Sequence, residues 1–382
     1  MTREDILDRA AGLAPVLRQR AGQAESLRRM PDETIADLVA AGLTRAAQPA
    51  RFGGAELGWD VLCEAAAILG RGDASQAWVA TVYAEHAFMV ALFPDEAQRD
   101  VWEFNPQALI SASISPVGNR VEVVDGGYVL DGRWPFASGV HHSDWTLIGD
   151  LVQRGRAQPK HLFFLVPKAD RKIVDDWHTA GMAGTGSATV ELENVFVRTY
   201  RTLDMEDVAA GKAPGAKLNR NPLYRMPVFG FTNLALASVV VGATEAMIEE
   251  FTGFVAQRAA RTPPPLALEA LYTRLAEAAA ETKAARLLIM DAAAFNMRKL
   301  ASGALLDAAD GTRGMHQNAY ACALVRRAAA RLFEGAGAHG IYLSSFIQRA
   351  FRDIYAGTVH AGLNWDRAAL SYGQMAVRDH LA

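Results

Sequence analysis

The chain has 382 residues, enough for two or three domains, and 51% of them are hydrophobic, which is ample for a large buried core. Lys and Arg number 39 against 42 Asp and Glu, a net charge of -3 with no long basic run, which argues against nucleic acid as a partner. Cys63 and Cys322 are too few for a disulfide framework or a thiolate metal site, the start MTREDILDRA lacks a signal-peptide pattern, and no stretch reads as a membrane span, so a soluble cytoplasmic protein is expected.

Apolar residues at three-and-four spacing come first, as in Ile35, Leu38 and Val39 and in Val61, Leu62, Ala65, Ile68 and Leu69, with breaks at Gly42, Gly53-Gly54 and Gly70. Residues 1–108 are therefore expected to form a helical domain. From about Leu109 short alternating runs take over: Val121 to Val124, Tyr128 to Leu130, Trp145 to Ile148, His161 to Val166 and Thr189 to Val197. Asp125-Gly126-Gly127, Asp131-Gly132 and Gly149-Asp150 separate the earlier runs, and residues 109–210 read as a β domain. A polar linker near Asp204 to Asn221 leads to Ala-rich helices expected at 228–258, 266–300, 315–338 and 343–380, which make 211–382 a four-helix bundle. The class is α+β.

Two motifs are set aside. Gly335 to Gly340 satisfies G-x-G-x-x-G but follows a helix rather than a strand, so it reads as the end of a bundle helix. His141-His142-Ser143-Asp144 resembles a metal cluster, yet neighbours on a strand face opposite ways and no partner motif follows at zinc spacing, so no metal is expected.

The string GYVLDGRWPFASG, Gly127 to Gly139, resembles the segment in which the acyl-CoA dehydrogenase superfamily places flavin against a strand, with a Trp and a small hydroxyl close to the ring. HTAGMAGTGS, His178 to Ser187, is similar to that superfamily's Gly-rich turn, and Arg258 keeps the family's separation of seventeen residues from Leu275-Ala276. The resemblance covers nearly the whole chain. It implies an N-terminal helical domain, a central β-barrel domain and a C-terminal four-helix bundle, flavin contacts from Trp134, Ser138, Ser187 and Arg258, and a homotetramer whose flavin sites are completed by a neighbour's helices.

A dehydrogenase of this superfamily needs a carboxylate to remove a proton α to a thioester. The two positions that resemble its place hold Ala356 and Ala361, and Phe229 to Leu234 offers no carboxylate on the earlier helix. His360, seven residues after Asp353, instead resembles the Arg-Asp…His pattern of the hydroxylase branch, which includes p-hydroxyphenylacetate hydroxylases and dibenzothiophene monooxygenases. That branch takes reduced flavin, FMNH2 or FADH2, from a separate flavin reductase and adds O2 at the flavin C4a carbon. The resemblance thus implies transfer of one oxygen atom from a C4a-hydroperoxyflavin to an aromatic or heteroaromatic small molecule. N-hydroxylation of an amine or amino sugar and acyl-CoA dehydrogenation are the alternatives.

The expected catalytic residues are His360, Ser138 and His86, with Ser113, Trp78 and Tyr83 on the substrate. A small hydroxyl such as Ser138 suits a bond to flavin N5 or to the oxygens, although a β-turn serine has the same signature. An imidazole titrating near neutrality lets His360 take a substrate proton or bind the hydroperoxide directly, the alternative being a cap or packing histidine. His86 shares a helical face with Trp78, Val82, Met89 and Val90, where either substrate or a backbone carbonyl would satisfy it. Of Ser111, Ser113 and Ser115, one register faces the pocket.

Overall fold

The computed structural model describes residues 1–153, 158–261 and 268–381. The N-terminal part is five helices: α1 (Arg3–Leu27), α2 (Asp32–Ala40), α3 (Trp59–Gly70), α4 (Ala74–Val90) and α5 (Asp95–Trp102). Helix α1 starts at a reciprocal cap in which Thr2 accepts from the Asp5 N–H and the Asp5 carboxylate accepts from the Thr2 N–H; it stops where Arg28 turns left-handed at φ 53°.

Among the described residues eight strands follow: β1 (Ile110–Ser113), β2 (Arg120–Val124), β3 (Gly127–Trp134), β4 (Trp145–Val152), β5 (Lys160–Pro167), β6 (Lys172–Val174), β7 (Thr189–Arg198) and β8 (Thr202–Asp204). They form two four-stranded sheets, β1-β4-β5-β8 and β2-β3-β7-β6, in which only β1 and β4 run parallel. Between the sheets lies a core of Leu130, Trp134, Ile148, Phe164, Val166 and Val190. The turn expected at Gly126 is present, with φ 73°. Asp131-Gly132 does not end a strand: β3 runs through it with a bulge between Leu130 and Gly132, where Gly132 takes φ 147°. His141 and His142 are not on a strand either. They occupy a 3-10 turn, and His142 Nε2 meets Asp32 at 2.8 Å.

The linker folds into two short helices, α6 (Met205–Ala209) and α7 (Pro214–Leu218), before α8 (Asn233–Ala259), α9 (Leu268–Ala301) and α10 (Ala308–Ala336). The first residues of the second expected bundle helix, 266 and 267, lie outside the described residues. The helix expected at 343–380 is two: α11 (Phe346–Thr358) and α12 (Trp365–Leu381). Asn364 explains the restart, since its side chain accepts from the Arg367 N–H at 3.0 Å. Among the described residues no helix is long and apolar enough to cross a membrane, and both cysteines are free and buried.

Helices α3 and α8 cross in backbone contact. A Cβ at Gly242 would lie 1.9 Å from the Ala67 carbonyl, and one at Gly70 would lie 2.3 Å from the Val239 carbonyl. Gly242→Ala should therefore force the helices apart and destabilise the protein by roughly 1–3 kcal/mol, which denaturant titration will read as a lowered midpoint at unchanged slope.

Candidate active site

Helix α4 organises the site. Asp73 caps it by accepting from the Gln76 N–H at 2.9 Å, and all of its residues are buried, so packing on every side holds Trp78 and His86 in place. His86 is 6% exposed and its Nδ1–H donates to the Ile110 carbonyl at 2.7 Å. A carbonyl only accepts, so this bond selects the tautomer and leaves the lone pair on Nε2. Burial pulls its pKa down to about 4, and the ring is neutral at pH 7. Next to it, Glu85 is buried with Oε1 unpartnered, and burial raises its pKa well above the usual carboxylate range.

His360 lies in the break after α11, edge-on to Trp78 with ring centroids 5.6 Å apart. Two glycines make the approach possible. A Cβ at Gly357 would meet Val240 at 2.9 Å and Trp78 at 3.6 Å, and one at Gly362 would lie 2.3 Å from the Asn233 side chain. His360 is exposed in the single chain, while protein around the ring desolvates it and holds its pKa below the usual histidine range. The Gly362 N–H donates to His360 Nδ1 at 3.2 Å, so the neutral ring carries its proton on Nε2. The two imidazoles thus hold opposite tautomers: His86 keeps its lone pair on Nε2, and His360 carries its N–H there. Of the two roles expected for His360, a donor at Nε2 is compatible with binding the oxygens directly.

Ser138 is half-buried in the loop after β3, and that loop is pinned from three sides. Ser113 donates to the Pro135 carbonyl at 2.6 Å, Tyr83 donates to the Gly139 carbonyl at 2.6 Å, and the Gly139 N–H donates to the Thr185 carbonyl at 2.9 Å. Gly139 has φ 72°, and a Cβ there would lie 2.7 Å from the Tyr83 hydroxyl oxygen. Ser111 has turned to Thr146 and Ser143, each at 2.8 Å. Ser138 Oγ meets Ser187 Oγ at 2.8 Å, and Ser187 Oγ meets Thr185 Oγ1 at 2.7 Å.

Several expected contacts take other roles. Tyr83 is 1% exposed with its hydroxyl spent on Gly139, so it supports the loop rather than touching a substrate. Trp134 is 0% exposed in the core between the sheets, its Nε1–H donating to Asp150 at 3.1 Å, which removes it from any flavin face. Phe136 is the exposed aromatic ring beside Ser138: 69% of it is accessible, its φ is 68°, and it lies edge-on to Trp177 at 6.2 Å. Ser187 is 5% exposed and bonded on both sides by hydroxyls. Arg258 stacks on Phe254 at 4.5 Å and is eighteen residues beyond Val240, roughly 27 Å along α8 at 1.5 Å per residue. The fold brings together Trp78 and His360, and separately Ser138 and Ser187; it does not bring Arg258 to the part of α8 that packs against Gly357.

In the sequence Asp353 is only a landmark seven residues before His360. It is 5% exposed, its carboxylate accepts from the Met182 N–H at 2.6 Å, and burial beside Asp73 raises its pKa to about 7. Its place in the Arg-Asp…His pattern was the available signal; that it grips the Gly-rich turn required the fold.

Comparison with known proteins identifies the family and the fold. Residues 234–365 match the family model described as acyl-CoA dehydrogenase, C-terminal domain. The chain is 34% identical to the pigment production hydroxylase of Rhodococcus sp. (strain ATCC 21145), over 99% of this chain and 97% of that protein. It is also 34% identical to the FADH(2)-dependent resorcinol hydroxylase, oxygenase component, of Rhizobium sp. (strain MTP-10005), over 97% of this chain and 93% of the relative. The crystal structure of the HsaA monooxygenase from M. tuberculosis superposes with a TM-score of 0.94 at 30% identity, covering 99% of each chain.

Proposed function

Since the chain belongs to the oxygenase components of the flavin-dependent monooxygenases, which share the acyl-CoA dehydrogenase fold, we propose that it hydroxylates an aromatic ring activated by a phenol or indole-type N–H. Reduced flavin is its cofactor and O2 its cosubstrate. The observation that carries the substrate class is the opposed pair of histidine tautomers: a lone pair at His86 Nε2 and an N–H at His360 Nε2.

The residues present fit a reduced flavin. A half-buried hydroxyl at Ser138 stands beside the exposed ring of Phe136, which a positive φ turns out of the β core, and the exposed His360 ring carries a donor at Nε2. When bound, reduced flavin supplies the two electrons and the site of oxygen activation. The chain's own groups do the rest. Phe136 offers an apolar face and Ser138 a hydrogen-bonding oxygen at the ring edge. His86 Nε2 accepts the phenol or indole proton, which grows strongly acidic as the ring carbon bonds to oxygen, so a base of low pKa suffices. His360 Nε2–H stabilises negative charge by donation.

The same reading includes a separate flavin reductase, a cytoplasmic location and a homotetramer. Exposed Leu287 and Phe295 on α9 and Leu370, Val377 and Leu381 on α12 support burial against other copies, and an Arg258 so far along α8 would serve a flavin shared across subunits. The test is to mix the protein with photoreduced FMN or FAD, 18O2 and a panel of phenols, indoles, amines and acyl-CoA thioesters, with mass spectrometry as readout. One 18O atom on a phenol or indole ring carbon is expected. Label appearing only on an amine nitrogen, or oxidation of an acyl-CoA without label, would replace this reading.

A further inference from the structure

The hydroxyls behind Ser138 form a line whose direction is determined. At its far end Thr185 Oγ1 lies 2.8 Å from the Met182 carbonyl, which can only accept, so the Thr185 proton is committed there. The 2.7 Å contact between Thr185 and Ser187 must then use the Ser187 proton, and the 2.8 Å contact between Ser187 and Ser138 must use the Ser138 proton. Met182 is anchored as the terminus. Its N–H donates to Asp353 at 2.6 Å, its carbonyl also accepts from Trp177 Nε1 at 3.2 Å and from the Thr185 N–H at 3.1 Å, and its φ is 56°, a conformation that this surrounding network holds in place.

We propose that Thr185 and Ser187 are positioning residues that orient the Ser138 hydroxyl as an acceptor toward the flavin, and so make the site select reduced over oxidised flavin. This rests on the reading of Ser138 as the group at flavin N5. Reduced flavin carries a hydrogen on N5 and oxidised flavin a lone pair there. A hydroxyl whose only proton is drawn back into the protein complements the first and repels the second. The consequence is that the oxygenase, which has no nicotinamide fingerprint of its own, takes up flavin after reduction and releases it after oxidation without a conformational switch. No proton or electron is transferred along the line; its role is orientation alone.

The experiment measures dissociation constants of reduced FMN and FAD under anaerobic conditions and of the oxidised forms in air, for wild type, Thr185→Val, Thr185→Ser and Ser187→Ala. Thr185→Val keeps the shape but removes the acceptor for Ser187, which then donates to Ser138 and frees the Ser138 proton toward the flavin. The wild-type preference for reduced flavin is expected to fall by about tenfold in Thr185→Val, the scale of one hydrogen bond, and by a similar factor in Ser187→Ala, while Thr185→Ser retains it. Circular dichroism and melting temperature establish that each variant is folded, and Ser187→Ala serves as the test should Thr185→Val not fold. A wild-type preference in Thr185→Val and Ser187→Ala overturns the inference but leaves the flavin reading standing. Equal loss in Thr185→Ser and Thr185→Val overturns it too, because packing rather than orientation is then at work. A wild-type protein that binds neither flavin form removes the flavin reading itself.

Discussion

A His86→Ala variant should consume reduced flavin and oxygen much as the wild type does, yet form hydroxylated product about 10²–10⁴-fold more slowly, the loss expected for a positioned general base. The reason is the Ile110 carbonyl. By occupying Nδ1–H at 2.7 Å it dictates that the nitrogen left over is basic, whereas at His360 the Gly362 N–H dictates the opposite. His360→Ala should accordingly lose a donor and not a base, so it should slow product formation by less than His86→Ala does. Product and H2O2 measured in the same reaction separate the outcomes. A His86→Ala product rate within about threefold of wild type would take this imidazole out of the chemistry.

The same burial gives a pH signature. With its pKa at about 4 against a usual 6.5, His86 stays neutral in the folded protein while the unfolded chain takes up a proton between those values. Stability therefore falls as pH drops from 6.5 toward 4, by at most about 3 kcal/mol from this residue. His86→Gln lacks that dependence, so its melting temperature should approach that of wild type on acidification. A gap that stays constant with pH would mean that the ring is not held neutral.

Ser138→Ala should change the fate of oxygen more than the binding of flavin. The ratio of product to H2O2 is expected to fall roughly ten- to hundredfold, the scale of one lost hydrogen bond of 1–3 kcal/mol in a site where water must be excluded, while reduced-flavin affinity drops by about tenfold or less. The loop should keep its shape, because its anchors run through Pro135 and Gly139 and not through the Ser138 side chain. Titrating reduced flavin anaerobically, then measuring product and H2O2 on admission of oxygen, tests both halves. Unchanged coupling with a large loss of affinity would recast Ser138 as a binding group.

The sequence by itself was sufficient for the order of helical, β and helical regions, for the family, and for the absence of a dehydrogenase carboxylate at Ala356 and Ala361. These features are local: periodicity, turn residues and contiguous motifs survive without the fold. Where long-range contact decides, it was silent or misleading. Trp134 stands in the flavin motif, but the inward side of β3 belongs to the core between the sheets, and Phe136, past the strand's end, takes the exposed place because alternation stops there. Tyr83 reads as a pocket aromatic until the approach of α4 to Gly139 engages its hydroxyl. Ala-rich composition hides the break at His360, which Asn364 and the close packing of Gly357 and Gly362 impose. Which nitrogen of each histidine is basic depends on Ile110 and on Gly362, and the direction of the Ser138 hydroxyl on the Met182 carbonyl. A hydrogen bond's sense is a property of the partner, and for His86 and Ser138 that partner lies far away in the chain and is supplied only by tertiary structure.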